Sequence, residues 1–428
     1  MSDTDRLRRR NRELSILNTI AEALNRSECL RLMPNVLIIV QNLPVPFDRR
    51  VWLEAQTLRA AGYGVSIICP TGKKGDFQAR QETLEGIHVY RYAAPPEAHD
   101  PLGYLVEFAY CWLMTAVLSL KVWRRHGFDV IHACNPPETY FLLAGLYKLL
   151  GKRFIFDHHD LSPEMYLAKG GRAGDFLHRV LLWLEKLTFR TADGVITTNA
   201  SHQEIAMTRG GLPKERVFIV RSGPDFQRLQ QLRPEPALKG GYPYLVCYLG
   251  EMCPQDGVAY LLQAAQLLRQ EKGRADVRFV LMGGGPSLPE LRRLKTTLGL
   301  DGQVEFTGRV SDHDLCRYLS TCDLCLDPDP YSEWADRSTM NKIMEYMAFG
   351  KPIVAFDLRE NRYSAQGAAV YARPNDVNHF VSLIDELLKD PGRRQAMGQT
   401  GLARVHQELA WDYSRPPLLA AYQMVCSL

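Results

Sequence analysis

A chain of 428 residues is longer than one ordinary hydrophobic core sustains, so two domains are expected. Hydrophobic residues make up 46% and charged residues 23%, globular averages that exclude the disordered and collagen-like classes. The formal net charge of +4 is too mild for nucleic acid to be the main ligand, and no nucleic-acid partner is expected.

In chain order, residues 1–33 read as a helical extension outside the main fold, with Leu14, Leu17, Ile20 and Leu24 at helical spacing behind a basic lead of Arg8, Arg9 and Arg10. No apolar signal core is seen there. The ten cysteines fall mostly inside apolar runs, so a reducing cytoplasm with buried thiols is expected. Short apolar runs then alternate with helical patterns: "NVLIIV" (35–40), "GVSIIC" (64–69), "IHVYRYA" (87–93), "DVIHAC" (129–134), "RFIFDH" (153–158), "GVITTN" (194–199) and "VFIVR" (217–221), with helices at 49–61, 137–150 and 175–191. That alternation predicts a parallel sheet covered by helices on both faces, a Rossmann-like domain over 34–225.

Within it, "YLVEFAYCWLMTAVLSL" (104–120) carries Glu107 alone among ionisable groups before Lys121, and its uncharged run of 13 residues falls short of the roughly 18 that a spanning helix needs. Aromatic Phe108, Tyr110, Trp112 and Trp123 beside Lys121, Arg124 and Arg125 fit a helix lying in a membrane interface over 104–125. A core helix packed on the sheet fits the same residues.

The Pro-, Gly- and charge-rich "RSGPDFQRLQQLRPEPALKGGYP" (221–243) marks a hinge, after which the pattern restarts. Strands are expected at 244–250, 278–284, 304–309, 324–328 and 352–357, and helices at 257–271, 287–298, 312–320, 339–349 and 376–389, giving a second Rossmann-like domain over 240–410. The final stretch, 411–428, reads as a helix able to cross back onto the first domain. Cys322 and Cys325 have C-x-x-C spacing, but no second pair or His cluster accompanies them and they sit in a strand, which favours core packing.

The stretch "STMNKIMEYMAFGKPIVAFD" (338–357) carries the chemistry. Ser338 and Thr339 are good N-cap residues, and a helix N-terminus at the open end of a parallel sheet can hold a phosphate. Lys342 suits a phosphate oxygen and Glu345, at i+3 from it, suits a diol such as a ribose. A capped amphipathic helix with an exposed Lys–Glu pair accounts for the same spacing.

These residues resemble the nucleotide-binding segment of the family 4 retaining glycosyltransferases of GT-B fold. The resemblance extends to "FDRRVWLEAQTLRAAGYGVSIICP" (47–70), "FDVIHACNPPETYFLLA" (128–144), "RFIFDHHDLSPEMY" (153–166), "TADGVITTN" (191–199), "RFVLMGGGP" (278–286) and "VEFTGRV" (304–310). It implies two Rossmann-like domains facing across a cleft. It further implies transfer of a sugar from a nucleotide-diphosphate donor, with retained configuration, as in surface polysaccharide assembly; with 104–125 in a membrane interface, a glycan or lipid-linked acceptor at the inner face of the plasma membrane follows. On this resemblance Glu345 bonds the ribose hydroxyls, Gly283 and Gly285 shape the turn after a donor-domain strand, and His159 and Asp160 lie near the acceptor and the transferred sugar.

The pattern departs from the family's at three positions. Arg337, with Asp336 beside it, stands where the first of the paired glutamates is usual. Glu251 and Asp256 in "YLGEMCPQDG" stand where the family's diphosphate-binding Arg and Lys are usual. A leaving diphosphate gains negative charge, so preorganised cations or N–H dipoles there are a large catalytic factor. Lys342 with the helix N-terminus, then Arg337, Arg309 and Arg221, are the expected substitutes. The "DPD" of Asp327–Asp329 resembles a metal motif of another fold, and neither a metal nor a cofactor is expected. Two further readings stand beside transfer: a nucleotide-sugar epimerase using the "DHHD" stretch and Glu164, and a catalytically silent nucleotide-sugar-binding protein.

Overall fold

A computed structural model describes residues 33–72, 79–94 and 101–428; the helical extension expected over 1–33 thus lies outside the described residues but for Met33. The chain divides into two compact units. One takes in the described residues up to Ala133 together with Leu146–Arg153, the other Cys134–Gly145 and Phe154–Leu428.

In the first unit the strands are β1 (Asn35–Ile39), β2 (Gly64–Pro70), β3 (Gln81–Leu84), β4 (Ile87–Tyr92) and β5 (Val130–Cys134), in the order β3-β4-β2-β1-β5. All neighbours pair in parallel except β3 with β4, whose short link makes an antiparallel hairpin around Glu85 and Gly86 at positive φ. Runs such as Val36–Ile39 are buried throughout, as a sheet covered on both faces requires. Helix α1 (Arg49–Ala60) starts where the Asp48 carboxylate accepts from the Val51 amide at 3.1 Å. Helix α2 (Pro101–Arg125) turns Cys111, Thr115, Ser119 and Val122 inward, at the three- and four-residue spacing of one helix face. Ser119 Oγ lies 3.0 Å from the Tyr147 hydroxyl. The other face of α2 is open to solvent at Val106, Leu113, Val117 and Leu120.

The second unit carries β6 (Arg153–His158), β7 (Gly194–Thr197) and β8 (Val217–Ile219), paired in parallel in that order. Between them run α3 (Ser162–Ala168), α4 (Phe176–Thr191) and α5 (Ala200–Thr208). A separate six-stranded sheet follows, entirely parallel: β9 (Tyr244–Leu249), β10 (Val277–Met282), β11 (Val304–Gly308), β12 (Leu324–Asp327), β13 (Ile353–Phe356) and β14 (Ala369–Ala372), in the order β11-β10-β9-β12-β13-β14. Successive residues of β9 feed opposite cores: Leu245 and Cys247 join Ile343, Met344 and Met347, while Val246 and Tyr248 join Leu261, Leu262 and Phe380. The helices on its faces are α6 (Val258–Glu271), α7 (Leu288–Thr297), α8 (Asp312–Thr321), α9 (Glu333–Arg337), α10 (Asn341–Ala348), α11 (Arg359–Ala365), α12 (Val377–Lys389) and α13 (Pro391–Arg404).

The last helix, α14 (Trp411–Ser427), lies against β7 and β8: Ser414 Oγ donates to the Arg221 carbonyl at 2.8 Å, and a Cβ on Gly194 would stand 2.8 Å from Val425. Cys322 and Cys325 are buried, with their sulfurs 3.5 Å apart, in the core beneath α10. Two strands, β3 and β14, had no counterpart among the sequence expectations.

Candidate active site

The carboxyl ends of β9, β10 and β12 and the start of α10 converge on one locality. Two loops interlock there through main-chain bonds: Gly250 N donates to Met282 O (3.1 Å), Met252 N to Gly284 O (3.0 Å) and Ser287 N to Met252 O (2.9 Å). Their approach explains Gly283 and Gly285. A Cβ at Gly283, whose φ is +138°, would stand 1.8 Å from the Gly250 carbonyl oxygen, and one at Gly285 would stand 2.6 Å from that of Met252. Both glycines thus build the ledge beside which Lys342 lies.

Lys342 projects from the first turn of α10 into this locality and is largely buried, with 11% of its side chain exposed. Its ammonium donates to both Asp329 oxygens at 2.9 and 2.8 Å, stands 3.2 Å from Asp327 and lies 5.1 Å from the centroid of the Tyr248 ring. Burial works against the charge, but Asp329, Tyr248, Asp327 and Asp256 outweigh it and hold Lys342 well above the usual lysine range. Burial and the neighbouring Asp327 push Asp329 well above the ordinary carboxyl range, against the Lys342 charge. Asp256 is also raised, by burial first, with Lys342 opposing. Asp327 accepts from the Asn361 amide at 2.8 Å. A Cβ on Gly250 would come within 3.3 Å of the Lys342 stem. Positions 251 and 256 carry no cation, and the ammonium that lies beside this loop belongs to a different helix.

The hydroxyls expected to cap this helix do something else. α10 begins at Asn341, after Met340, without a side-chain cap. Ser338 ends α9 and donates to the Trp334 carbonyl at 2.6 Å. Thr339 Oγ1 accepts from Asn199 Nδ2 at 2.9 Å and from Arg221 at 3.4 Å, and the same Asn199 amide reaches the Arg337 carbonyl at 2.9 Å. Asn199 is itself the N-cap of α5, accepting from His202 N at 2.8 Å, so one side chain ties that helix start to the turn leading into α10. Ser201 Oγ donates to Glu360 at 2.7 Å in the same seam.

The remaining candidates separate. Glu345 forms an ion pair with Arg228, which also holds Asp312 at 3.0 Å; Lys342 and Glu345 therefore serve different partners although they are three residues apart. Arg337 pairs with Glu333 at 2.9 Å along α9. Arg221 is buried over the Tyr363 ring, 4.2 Å from its centroid, with Glu360 at 3.7 Å. Arg309 is exposed, just beyond β11.

After β6, His159 Nδ1 lies 3.1 Å from Asp157 Oδ2, a contact that puts the ring proton on Nδ1 and fixes the imidazole. The amides of His159 and Asp160 both donate to Asn135 Oδ1, at 2.9 and 3.1 Å, and Asn135 Nδ2 donates back to the Asp160 carbonyl. Burial pushes the Asp160 carboxyl up, opposed by His159, His158 and the exposed Lys169. Glu164 is clasped by Arg209 at 2.7 and 3.3 Å. Arg228, Asn135, Asn199 and Glu360 carried no signal in the sequence, because each acts on a residue far away in the chain.

Two family descriptions match in tandem: "Glycosyl transferase 4-like domain" over residues 48–223 and "Glycosyl transferases group 1" over residues 243–390. Among relatives, the alpha-D-kanosaminyltransferase of Streptomyces kanamyceticus is 27% identical over 51% of this chain and 56% of its own length. The GDP-mannose-dependent alpha-(1-6)-phosphatidylinositol monomannoside mannosyltransferase of Mycobacterium tuberculosis is 27% identical over 68% of this chain and 82% of its own. Among solved structures, sucrose-phosphate synthase from Thermosynechococcus elongatus superposes with a TM-score of 0.73 at 18% identity, over 92% of this chain and 99% of that one. Anabaena HepE in complex with UDP-glucose gives 0.66 at 19%, over 92% and 100%. With the paired parallel sheets and the ordered matches along both halves, the chain belongs to the family 4, or group 1, glycosyltransferases and has the GT-B fold.

Proposed function

We propose that this glycosyltransferase moves a hexose from a nucleotide-diphosphate donor to a glycan or lipid-linked acceptor, with retained configuration and without a metal, in cell-envelope polysaccharide or glycolipid assembly at the cytoplasmic face of the membrane. The observation that carries it is the Lys342 ammonium beside the Gly250 loop. The family's donor diphosphate needs a cation at this loop, and Glu251 and Asp256 do not supply one. Names among the relatives and neighbours support a nucleotide donor: one mannosyltransferase is GDP-mannose-dependent, and HepE was crystallised with UDP-glucose.

In this reading Lys342 leaves Asp329 for the β-phosphate, and Asp329, already pushed towards its neutral form, tolerates the loss. Glu345, steadied by Arg228, takes the ribose hydroxyls. The acceptor hydroxyl attacks on the side from which the diphosphate departs, and the departing phosphate oxygen takes its proton. His159, oriented by Asp157, hydrogen-bonds the sugar. The protein's contribution is position and charge rather than a covalent nucleophile.

An interfacial acceptor agrees with α2. By length and composition Val106–Arg125 would suffice to cross a bilayer, but its Cys111, Thr115, Ser119 and Val122 face is packed on its own unit, which favours lying in the interface with Val106, Leu113, Val117 and Leu120 outward. The test is nucleotide release from a panel of UDP-, GDP- and ADP-sugars with and without acceptor lipids, alongside calorimetric binding of the three nucleotides to wild type and Glu345→Ala. Acceptor-dependent release and weakened binding in the variant are expected. An altered donor sugar without acceptor, binding without turnover, or unchanged affinity in Glu345→Ala would overturn the proposal.

A further inference from the structure

The helix α4 exposes an apolar surface that no part of the described chain covers. Phe176 is 80% exposed, Trp183 59% and Leu177 48%. Phe176, Arg179, Trp183, Lys186 and Arg190 are all exposed and follow one another at spacings of three, four, three and four residues, so they form a single outward stripe about 21 Å long. Aromatic rings and cations alternate along its first four positions, and Arg190 adds a cation at the end. The opposite face, Glu185, Thr188 and Phe189, is buried. The helix has one acid, and it is turned inward: Glu185 meets His158 Nε2 at 3.2 Å and the Arg209 guanidinium at 2.7 Å. The carboxylate at its start, Asp175, is engaged as N-cap by the His178 amide at 2.8 Å and by the Tyr166 hydroxyl at 2.6 Å. The outward face thus presents three cations and two aromatic rings with no carboxylate among them.

We infer that α4 is a docking surface for an anionic lipid bilayer. Rings of Trp and Phe seek the headgroup level, Arg and Lys at the same depth meet anionic headgroups, and their aliphatic stems lie over the apolar boundary. A protein partner would have to offer an acidic surface of the same length with matching hydrophobic sockets; a bilayer offers both along its whole plane. The inference goes beyond the donor chemistry and does not depend on α2 touching lipid.

The experiment uses the full chain and vesicles of phosphatidylcholine alone or enriched in phosphatidylglycerol, with binding followed by co-sedimentation. Each Lys or Arg near an anionic surface is worth roughly fivefold in binding. Arg179→Gln/Lys186→Gln/Arg190→Gln together are therefore expected to lose on the order of a hundredfold on phosphatidylglycerol vesicles. The stripe is exposed, so the melting temperature should hold. In the Leu113→Ser/Val117→Ser background, Trp183→Phe should abolish most of the blue shift in tryptophan emission that remains on vesicle addition. A parallel Leu113→Ser/Val117→Ser variant reports on α2 separately. Full binding by the triple variant, equal binding to both vesicle types, or a salt-sensitive dimer that α4 substitutions dissolve while vesicle binding persists would each overturn the inference.

Discussion

Replacing Lys342 with Met removes one ammonium from a nearly closed pocket and leaves its carboxylates behind. Asp327 and Asp329 are both buried, at 0% and 1% side-chain exposure, and Lys342 lies within 3.2 Å of each. Breaking a buried ion pair from one side costs about 3–5 kcal/mol, because the remaining charge has neither water nor a partner. Asp329 softens this by taking up a proton, its carboxyl being held well above the ordinary range already, so the cost is expected to fall towards the lower end in acid and to rise towards the upper end in alkali. For a cooperative unit of about 150–250 residues each kcal/mol lowers the melting temperature by about 2–4 °C, which gives a drop of roughly 6–20 °C. Differential scanning calorimetry and urea titration at acid and alkaline pH measure it. The double variant Lys342→Met/Asp329→Leu should regain the part of the loss owed to Asp329, since an apolar pair of similar volume replaces a buried ionic one at little cost, while Asp327 keeps its bond from the Asn361 amide. Nucleotide affinity is then measured well below both melting temperatures, where the double variant should stay weak although that part of its stability is restored. A single variant less than 1 kcal/mol below wild type, or additive effects in the double-mutant cycle, would refute the claim that the ammonium and these carboxylates form one electrostatic unit.

His159→Ala should cut turnover by about a hundredfold or more while the melting temperature moves little, because the ring, 17% exposed, bonds to Asp157 only two residues away; steady-state kinetics paired with a thermal melt separate the two. Gly283→Ala sets a methyl 1.8 Å from the Gly250 oxygen in a conformation that side chains avoid, and a loss of about 3 kcal/mol or more is expected by urea unfolding. Glu185 is held below the usual carboxyl value of 4.5: burial acts the other way, but His158 and Arg209 prevail. Its contribution is therefore complete above pH 4.5 and disappears as pH falls through the depressed value. Glu185→Gln should flatten the stability–pH slope in that acidic window by up to about 1.4 kcal/mol per pH unit, and an unchanged slope would count against the assignment.

Most of the parallel strands were legible because they are short apolar runs buried on both faces, as a sheet between two helical layers demands, although β8 and β11 each bury only their first residue. β3 escaped notice for the opposite reason: "QETL" alternates exposed and half-buried residues at a sheet edge and lacks an apolar signature. β14, "AVYA", follows a helix and a 3-10 turn at the other sheet's edge and is too short to announce itself. At the site, the short helix with Lys342 and Glu345 could be read from spacing, but its start could not. Ser338 and Thr339 have the chemistry of caps, yet Thr339 is claimed by Asn199 and Arg221, more than a hundred residues away in the chain. The same distance hid Arg228 from Glu345. The exposure of α4 was hidden for another reason: its leucines give a regular helical pattern, and only the fold reveals that Phe176 and Trp183 stand on the wet side.

The ledge built from Gly250, Met252, Gly283, Gly284 and Gly285 is held by amides and carbonyls, with almost no demand on side chains. Such a scaffold decouples shape from charge. Glu251 and Asp256 hang from it, and the Asp256 carboxylate folds back to accept from the Cys253 amide at 2.8 Å. A shelf built from backbone keeps its geometry whichever neighbouring element carries the cation beside it, here Lys342 on α10.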